Sequence, residues 1–226
     1  MNSVPDRLTI AIDGPASSGK GTVARAVAQA LGYAYIDTGA MYRSVAYAAQ
    51  AQGLKLADGE ALGTLTTGLD FQFSWNGGAL RILINGEDWS DLIRTESVGM
   101  GASDVAIHPE VRAALLDRQR ALARAGGVVM DGRDIGTVVL PDADLKVYLD
   151  ASVDERARRR HAELVARGLQ VSIENIRAEV AERDHQDRTR AEAPLVKADD
   201  AVYLDTTALS ADASADRIVR MVHDLA

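Results

Sequence analysis

Short apolar runs recur along this chain at Leu8–Ile12, Tyr33–Ile36, Val128–Met130, Leu145–Leu149 and Val202–Leu204. Each has the length and composition of a buried strand. Between them lie helical patterns. One runs from Lys20 to Leu31, where Gly32 is a natural C-terminal stop, and another from Met41 to about Gln52. Further helices are expected over Ser90–Val105 and over Pro109–Ala125, where the proline suits a first turn. Ser152 with Glu155 has the spacing of a capping box opening an arginine-rich helix, a second charged helix runs from Ser172 towards Asp187, and Ser210 suits the start of a last one. Strand alternating with helix predicts an α/β fold with a central parallel sheet flanked by helices. One region breaks the alternation. Phe71–Trp75 and Leu80–Ile84 flank Asn76-Gly77-Gly78, a strong hairpin signal, and Asn85-Gly86 reads as a second tight turn. This predicts a small antiparallel insertion carried on the α/β core, with no tandem repeat and no low-complexity linker.

Composition narrows the partners. The 226 residues suffice for a substantial core, and the absence of cysteine excludes disulfides and thiolate metal sites. The opening residues lack a basic segment followed by an apolar one, and no apolar run approaches membrane-spanning length. A cytoplasmic protein with no membrane partner is therefore expected. A net charge of −8 argues against a general nucleic-acid-binding surface, yet arginines crowd the stretch from Arg156 to Arg190. An acidic protein with a local arginine cluster suggests a small polyanion held in a cleft.

The first chemistry-bearing segment follows Leu8–Ile12 directly. Gly14, Pro15, Ala16, Ser17, Ser18, Gly19 and Lys20 match G-x-x-x-x-G-K at the junction of a strand and a helix, and Gly21 and Thr22 complete the candidate loop. Glycines let the backbone wrap an anion closely, and the helix N-terminus adds inward-facing N–H groups. Lys20 supplies a compact cation for the outer phosphates of a nucleoside triphosphate. A glycine-rich turn that merely contains a lysine would not require strand, loop and helix in this order. One departure stands out: Gly21 occupies the position where a Ser or Thr usually follows the lysine, and the hydroxyl arrives one residue later at Thr22. Direct ligation of Mg²⁺ by a loop hydroxyl is not expected, and the G-K-G-T ending resembles the nucleoside monophosphate kinases.

Three further segments carry candidate chemistry. In Asp37-Thr38-Gly39-Ala40-Met41-Tyr42-Arg43 a glycine turn opens a helix, with Arg43 one turn in, a pattern suited to a second phosphate. A capped surface helix with a solvated arginine explains the same residues equally well. In Asp131-Gly132-Arg133-Asp134, at the end of a strand, Arg133 suits a phosphate, Asp134 an amino group, and Asp131 the orientation of hydrated Mg²⁺. The plainer reading is a tight turn with an internal Arg–Asp pair. The third segment spans Arg156, Arg158, Arg159 and Arg160, then Arg183, Asp187, Arg188 and Arg190. Taken singly, each of these arginines suits a solvated helix face. As an ensemble they match the charge that spreads over a migrating phosphoryl group. His108, His161, His185 and His223 show no ligand spacing, and neither G-x-S-x-G nor N-K-x-D occurs.

With G-P-x-x-x-G-K-G-T, D-T-G-A-M-Y-R, D-G-R-D-I-G-T-V-V and E-R-D-x-x-D-R-x-R in this order, the chain resembles the bacterial cytidylate kinases from about Thr9 to its C-terminus. The resemblance implies a P-loop kinase fold in three parts. The core would be 1–37 with 105–152 and 192–226, the monophosphate-binding part 38–104 with its small antiparallel sheet, and a helical lid 153–191. It implies that Thr38, Arg43, Arg133 and Arg190 surround the acceptor phosphate, that Ser103, Arg112 and Asp134 read the cytosine ring, and that Arg183 and Asp187 contact the sugar. Lys20, Arg133 and Arg190 would be catalytic. Arg156, Arg159 and Arg160 fall in the lid, with Arg159 the expected ATP contact. A carboxylate such as Asp134 rewards the cytosine amino group and opposes the uracil carbonyl, so CMP is preferred over UMP.

The expected reaction is Mg²⁺-assisted transfer from ATP to CMP or dCMP by a monomer with no nucleic-acid partner, and the sequence assigns no side chain as a direct metal ligand. Two alternatives remain open at this point: a related kinase for UMP or AMP, and a nucleotide-dependent switch without a phosphoryl acceptor.

Overall fold

The computed structural model describes residues 7–76 and 79–225. The expected Gly77-Gly78 turn and the opening segment 1–6 lie outside the described residues. In chain order the elements begin with β1 (Thr9–Asp13), α1 (Lys20–Leu31), β2 (Ala34–Asp37), α2 (Thr38–Ala51) and α3 (Gly59–Thr67). Then come β3 (Phe71–Asn76), β4 (Ala79–Ile84), β5 (Glu87–Asp88), α4 (Glu96–Val105) and α5 (Pro109–Ala123). The chain closes with β6 (Val128–Gly132), β7 (Leu145–Asp150), α6 (Val153–Ala166), α7 (Ile173–Thr189), β8 (Val202–Asp205) and α8 (Ala211–Asp224). It divides into two compact units, one holding residues up to Tyr35 and from Ala125 onward, the other Ile36–Arg124.

The five apolar runs of the sequence become a five-stranded parallel sheet in the order β2-β6-β1-β7-β8. Strand β1 is central, and Ile10, Ala11 and Ile12 are fully buried, as a strand covered on both faces requires. Register fixes what meets at the carboxyl edge: Asp13 of β1 lies opposite Gly132 of β6 and Tyr148 of β7. The phosphate-loop candidate and the Asp131–Asp134 segment therefore leave the sheet side by side. Gly32 ends α1 in the left-handed region at φ 69°, with its N–H reaching the carbonyls of Ala28 and Gln29, as its position predicts. In the second unit β3, β4 and β5 form the expected antiparallel sheet. Asn85 and Gly86, both at positive φ, make the tight turn between β4 and β5.

Two local expectations change, and two further elements appear. Helix α2 starts at Thr38, not Met41, because Asp37 is its N-cap and accepts from the N–H of Ala40 at 2.9 Å; Gly39 is the second helical residue and not a turn. The expected Ser90–Val105 helix is broken into a 3₁₀ turn at Leu92–Arg94 and α4, because Thr95 is extended and caps α4 through Val98. Helix α3 has no strong pattern in the sequence, being rich in Gly and Thr, yet Leu62 is fully buried and Gly63 lets α5 close against it at Glu110. After β6 a π-helical turn spans Ile135–Val139.

Helices α6 and α7 form a hairpin around Ala157, Leu164, Ile176 and Val180. At its base Arg156 is only 2% exposed. Its guanidinium donates to both carboxylate oxygens of Asp184 at 2.8 and 2.5 Å, to the carbonyl of Ala151 at 2.9 Å and to that of Ala16 at 3.2 Å. One side chain thus joins α6, α7 and the loop after β1. Among the described residues no helix is long and apolar enough to cross a membrane.

A buried ion pair of this kind is sensitive to losing one member. Arg156→Met leaves the Asp184 carboxylate buried without its partner and is expected to lower unfolding stability by about 3–5 kcal/mol. Arg156→Met combined with Asp184→Leu should recover most of that loss. Urea unfolding of the two variants checks both outcomes.

Candidate active site

The loop from Gly14 to Lys20 is shaped by its glycines. A Cβ on Gly14 would lie 2.0 Å from the Leu149 carbonyl oxygen, so only glycine fits where β1 turns past β7. Ser17 and Gly19 take left-handed conformations, φ 59° and 89°, which aim successive N–H groups into one concavity. Gly19 is the N-cap of α1 and provides no side-chain cap, so the first-turn amides are left for a ligand. Lys20 folds back over the loop and donates to the Pro15 carbonyl at 3.2 Å. The buried Ser18 hydroxyl has no hydrogen-bond partner among the described residues. These features make an anion cradle.

The Gly21 departure has a physical reason. A Cβ there would stand 3.3 Å from the Tyr35 hydroxyl and 3.9 Å from an Asp131 carboxylate oxygen. Tyr35, 1% exposed, donates to Asp131 at 2.8 Å. Its phenol fills the space into which a Ser or Thr at 21 would project. Thr22 is exposed on the first turn of α1. Among the described residues no three His, Cys, Asp or Glu side chains cluster as a metal cage. Asp131, buried at the end of β6 and facing Gly21, is a single carboxylate beside the cradle. One carboxylate with substrate phosphates is a donor set that suits Mg²⁺.

Around the cradle the first unit gathers interleaved charges. Arg133 Nε donates to Asp187 at 2.7 Å. Arg190 donates twice to the Ala193 carbonyl, at 2.8 and 2.5 Å, and lies 3.8 Å from both Asp134 and Asp187. Arg183 adds its field to that of Arg133 on both Lys20 and Asp187. The plainer reading of the Asp131–Asp134 segment, an internal Arg133–Asp134 pair, gives way to pairing across to α7. Sequence-distant residues Lys20, Arg133, Asp134, Arg183, Asp187 and Arg190 thus come together in one unit.

Burial sets the protonation of this cluster. Burial, reinforced by repulsion from Arg133, brings the Lys20 ammonium down to about 7, although Asp131 and Asp187 oppose the change. Burial also raises the Asp13 carboxyl to about 6, against the hydrogen bonds it accepts from the amides of Gly136 and Ile135. Asp187 is likewise buried, but Arg133, with Arg183 and Arg190, holds its carboxyl below the usual range.

The arginines of α6 divide by role. Arg156 is consumed in the buried pair with Asp184. Arg159 braces the rim of the cradle: it donates to the Ser18 carbonyl at 2.8 Å and to the Thr206 carbonyl at 2.7 Å while pairing with Glu155 at 2.8 Å. Ser152 caps α6 at Glu155, but the Glu155 carboxylate serves Arg158 and Arg159. Arg160 pairs with Glu163.

In the second unit Thr38 is buried at the start of α2, and Arg43 pairs with the capping Asp37 at 2.9 Å. This draws the Arg43 guanidinium back over the helix N-terminus. Ser103 is half-buried on α4. Arg112 of α5 donates to the Ala106 carbonyl at 3.4 Å and lies over the Tyr42 ring, 5.8 Å from its centroid. Sequence reading overlooked Asp13, Tyr35, Asp184 and Thr206. For Asp13 a signal existed, an acidic residue immediately before the loop glycine, and Asp184 is the first aspartate of the E-R-D-x-x-D-R-x-R segment; for Tyr35 and Thr206 there was none.

Comparison with known proteins places this geometry in a family. The family model described as cytidylate kinase matches residues 10–224. A cytidylate kinase from Geobacillus kaustophilus is 50% identical over 218 residues, spanning 96% of this chain and 97% of the relative. One from Pseudomonas aeruginosa is 51% identical over 213 residues, 93% of each chain. Among solved structures, an uncharacterized protein from Eubacterium ventriosum shares the fold with a TM-score of 0.52 at 10% identity, over 96% of this chain and 98% of that one. On the near-full-length family match and on relatives at half identity, the chain belongs to the cytidylate kinase family.

Proposed function

We propose that this protein transfers the terminal phosphoryl group of ATP to CMP or dCMP, giving ADP and CDP or dCDP. The observation that carries the reading is the gathering of Lys20, Arg133, Arg183 and Arg190 beside a glycine-shaped anion cradle, in a chain half identical to cytidylate kinases. A nucleotide switch needs one phosphate site; this chemistry needs two.

The donor triphosphate lies in the loop Gly14–Thr22, with its outer phosphates on Lys20 and the α1 amides, and Arg159 at the rim. The acceptor phosphate takes Thr38, Arg43, Arg133 and Arg190, and its sugar takes Arg183 and Asp187. The cytosine amino group donates to Asp134, while Ser103 and Arg112 donate to the ring acceptors. The acceptor oxygen belongs to a phosphate already ionised near neutral pH, so no general base is required. Catalysis rests on alignment and charge neutralisation: Lys20, Arg133 and Arg190 hold two polyanions in line and stabilise the charge between them. Mg²⁺ fits beside Asp131 and, when bound, offsets phosphate charge on the donor.

Residues 1–37, 105–152 and 192–226 act as the core, 38–104 as the acceptor-binding part, and 153–191 as a lid that closes to keep water from the phosphoryl group. The protein works as a cytoplasmic monomer on small nucleotides, without a nucleic-acid or membrane partner.

The first test is ADP release from ATP and Mg²⁺ with CMP, dCMP, UMP, AMP or GMP offered singly. CMP and dCMP should lead and UMP should trail. Turnover led by UMP or AMP would keep the kinase and replace the base reader, and no acceptor-dependent turnover would favour the switch. Asp134→Ala should lower kcat/KM for CMP by about 5- to 150-fold, the equivalent of about 1–3 kcal/mol for one unpaired group, while ATP affinity is retained. Equal loss for both nucleotides would sink its role at the base.

Lys20 yields a linkage prediction. Its ammonium is held down to about 7 in the free protein, and triphosphate binding must favour the charged form. At about pH 8 ATP binding should therefore take up close to one proton, and affinity should fall by up to about tenfold per pH unit above 7. Calorimetry in two buffers of different ionisation enthalpy measures the uptake, which Lys20→Met should abolish. No uptake in the unmodified protein would mean that Lys20 is already charged.

A further inference from the structure

Asp13 ends β1 immediately before Gly14, 5% exposed, yet nothing in the proposed reaction uses it. Its two carboxylate oxygens accept from the N–H of Ile135 at 2.8 Å and of Gly136 at 2.7 Å. These are the first two residues of the π-helical turn that follows Arg133 and Asp134. Asp134 stands at the N-cap of that turn but makes no side-chain capping bond to it. Its carbonyl accepts from Val138 at 2.9 Å and Val139 at 3.2 Å, and its carboxylate lies 3.8 Å from Arg190. The amides that an N-cap side chain would ordinarily help to satisfy are thus served from a neighbouring strand.

A Cβ at Gly136 would stand 3.1 Å from Lys146 Cδ, closer than such atoms usually approach, and 3.4 Å from an Asp13 oxygen, so the turn packs directly against both side chains. Lys146 is itself fixed, donating to both oxygens of Asp200 at 3.0 and 2.7 Å. The parallel register that places Asp13 opposite Gly132 completes the grip.

We propose that Asp13 is a positioning residue for the acceptor base and phosphate: by capping the turn in place of Asp134, it fixes the direction of the Asp134 carboxylate and the Arg133 guanidinium. A buried carboxylate held by two amides is a stiff support. A misplacement of about 1 Å in such a site is enough to lose about a hundredfold in rate.

The inference rests on the reading of Asp134 as the base reader, and the experiment separates the two. Steady-state kinetics with CMP, UMP and ATP are measured for Asp13→Asn, Asp134→Ala and the double variant. Asp13→Asn keeps the shape but sets an NH₂ group against one of the two amides. It should raise the KM for CMP and cut the CMP-to-UMP ratio of kcat/KM by about tenfold, with the KM for ATP changed less than about threefold. In the Asp134→Ala background the same change should leave that ratio untouched, which a merely structural role would not produce.

If Asp134→Ala alone leaves the ratio intact, the base-site reading fails and this inference falls with it. If Asp134→Ala collapses the ratio while Asp13→Asn does not, or while Asp13→Asn weakens ATP and CMP alike, the inference alone is overturned. Should Asp13→Asn not fold, Asp13→Ser is read by the same ratio, and hydrogen exchange in the unmodified protein is decisive without any variant. Ile135 and Gly136 amides that exchange as fast as an exposed loop amide overturn the proposal; strong protection supports it.

Discussion

Cations repel, and this protein gathers Lys20, Arg133, Arg183 and Arg190 where water is largely excluded. The arrangement survives because carboxylates are interleaved among them. Asp187 takes Arg133 at 2.7 Å, Asp134 and Asp187 flank Arg190, and the field of Asp131 partly offsets what burial does to Lys20. The remaining imbalance is carried by Lys20, whose ammonium is weakened by burial and by Arg133. Positive charge is thus concentrated but incompletely satisfied, the condition under which an incoming polyphosphate gains most.

That balance depends on a rigid frame. Parallel strands place the loop after β1 and the turn after β6 at one edge of the sheet, the usual position for ligands in such folds. Arg156 then anchors the α6–α7 hairpin to the loop through Ala16 and to α7 through Asp184. Arg183 and Asp187 lie on the same helix as Asp184, within one turn of it. The structural pair and the charged cluster therefore share a support. The use of Arg156 of α6 as a strut, Arg159 as a loop brace and Arg158 at the surface shows why a charge run cannot be assigned a role from its sequence alone.

Much of this was legible in the residues. The five apolar runs were the five strands, Gly32 was the stop of α1, and Ser152, Ser172 and Ser210 were the caps of their helices. These are local effects, fixed by period, by a side-chain oxygen near an unpaired amide, or by a φ that only glycine adopts readily. Where local signals competed, the reading slipped. Gly39 looked like a turn former, yet Asp37 made it helical; Thr95 interrupted what periodicity presented as one helix; α3 formed with Leu62 buried and Gly63 against Glu110 of α5, and not through propensity.

The sequence by itself determined the strand–loop–helix cradle at Gly14–Thr22, the α/β alternation and the order of motifs that marks the family, because each is written in contiguous residues. Only the tertiary structure decided which charges pair. Arg133 turns to Asp187 and not to its neighbour Asp134, Tyr35 fills the space opposite Gly21, and Asp13 caps a turn 122 residues away. The physical reason is that ion pairs and buried hydrogen bonds are settled by distance and desolvation in the folded chain, quantities that spacing along the chain does not contain.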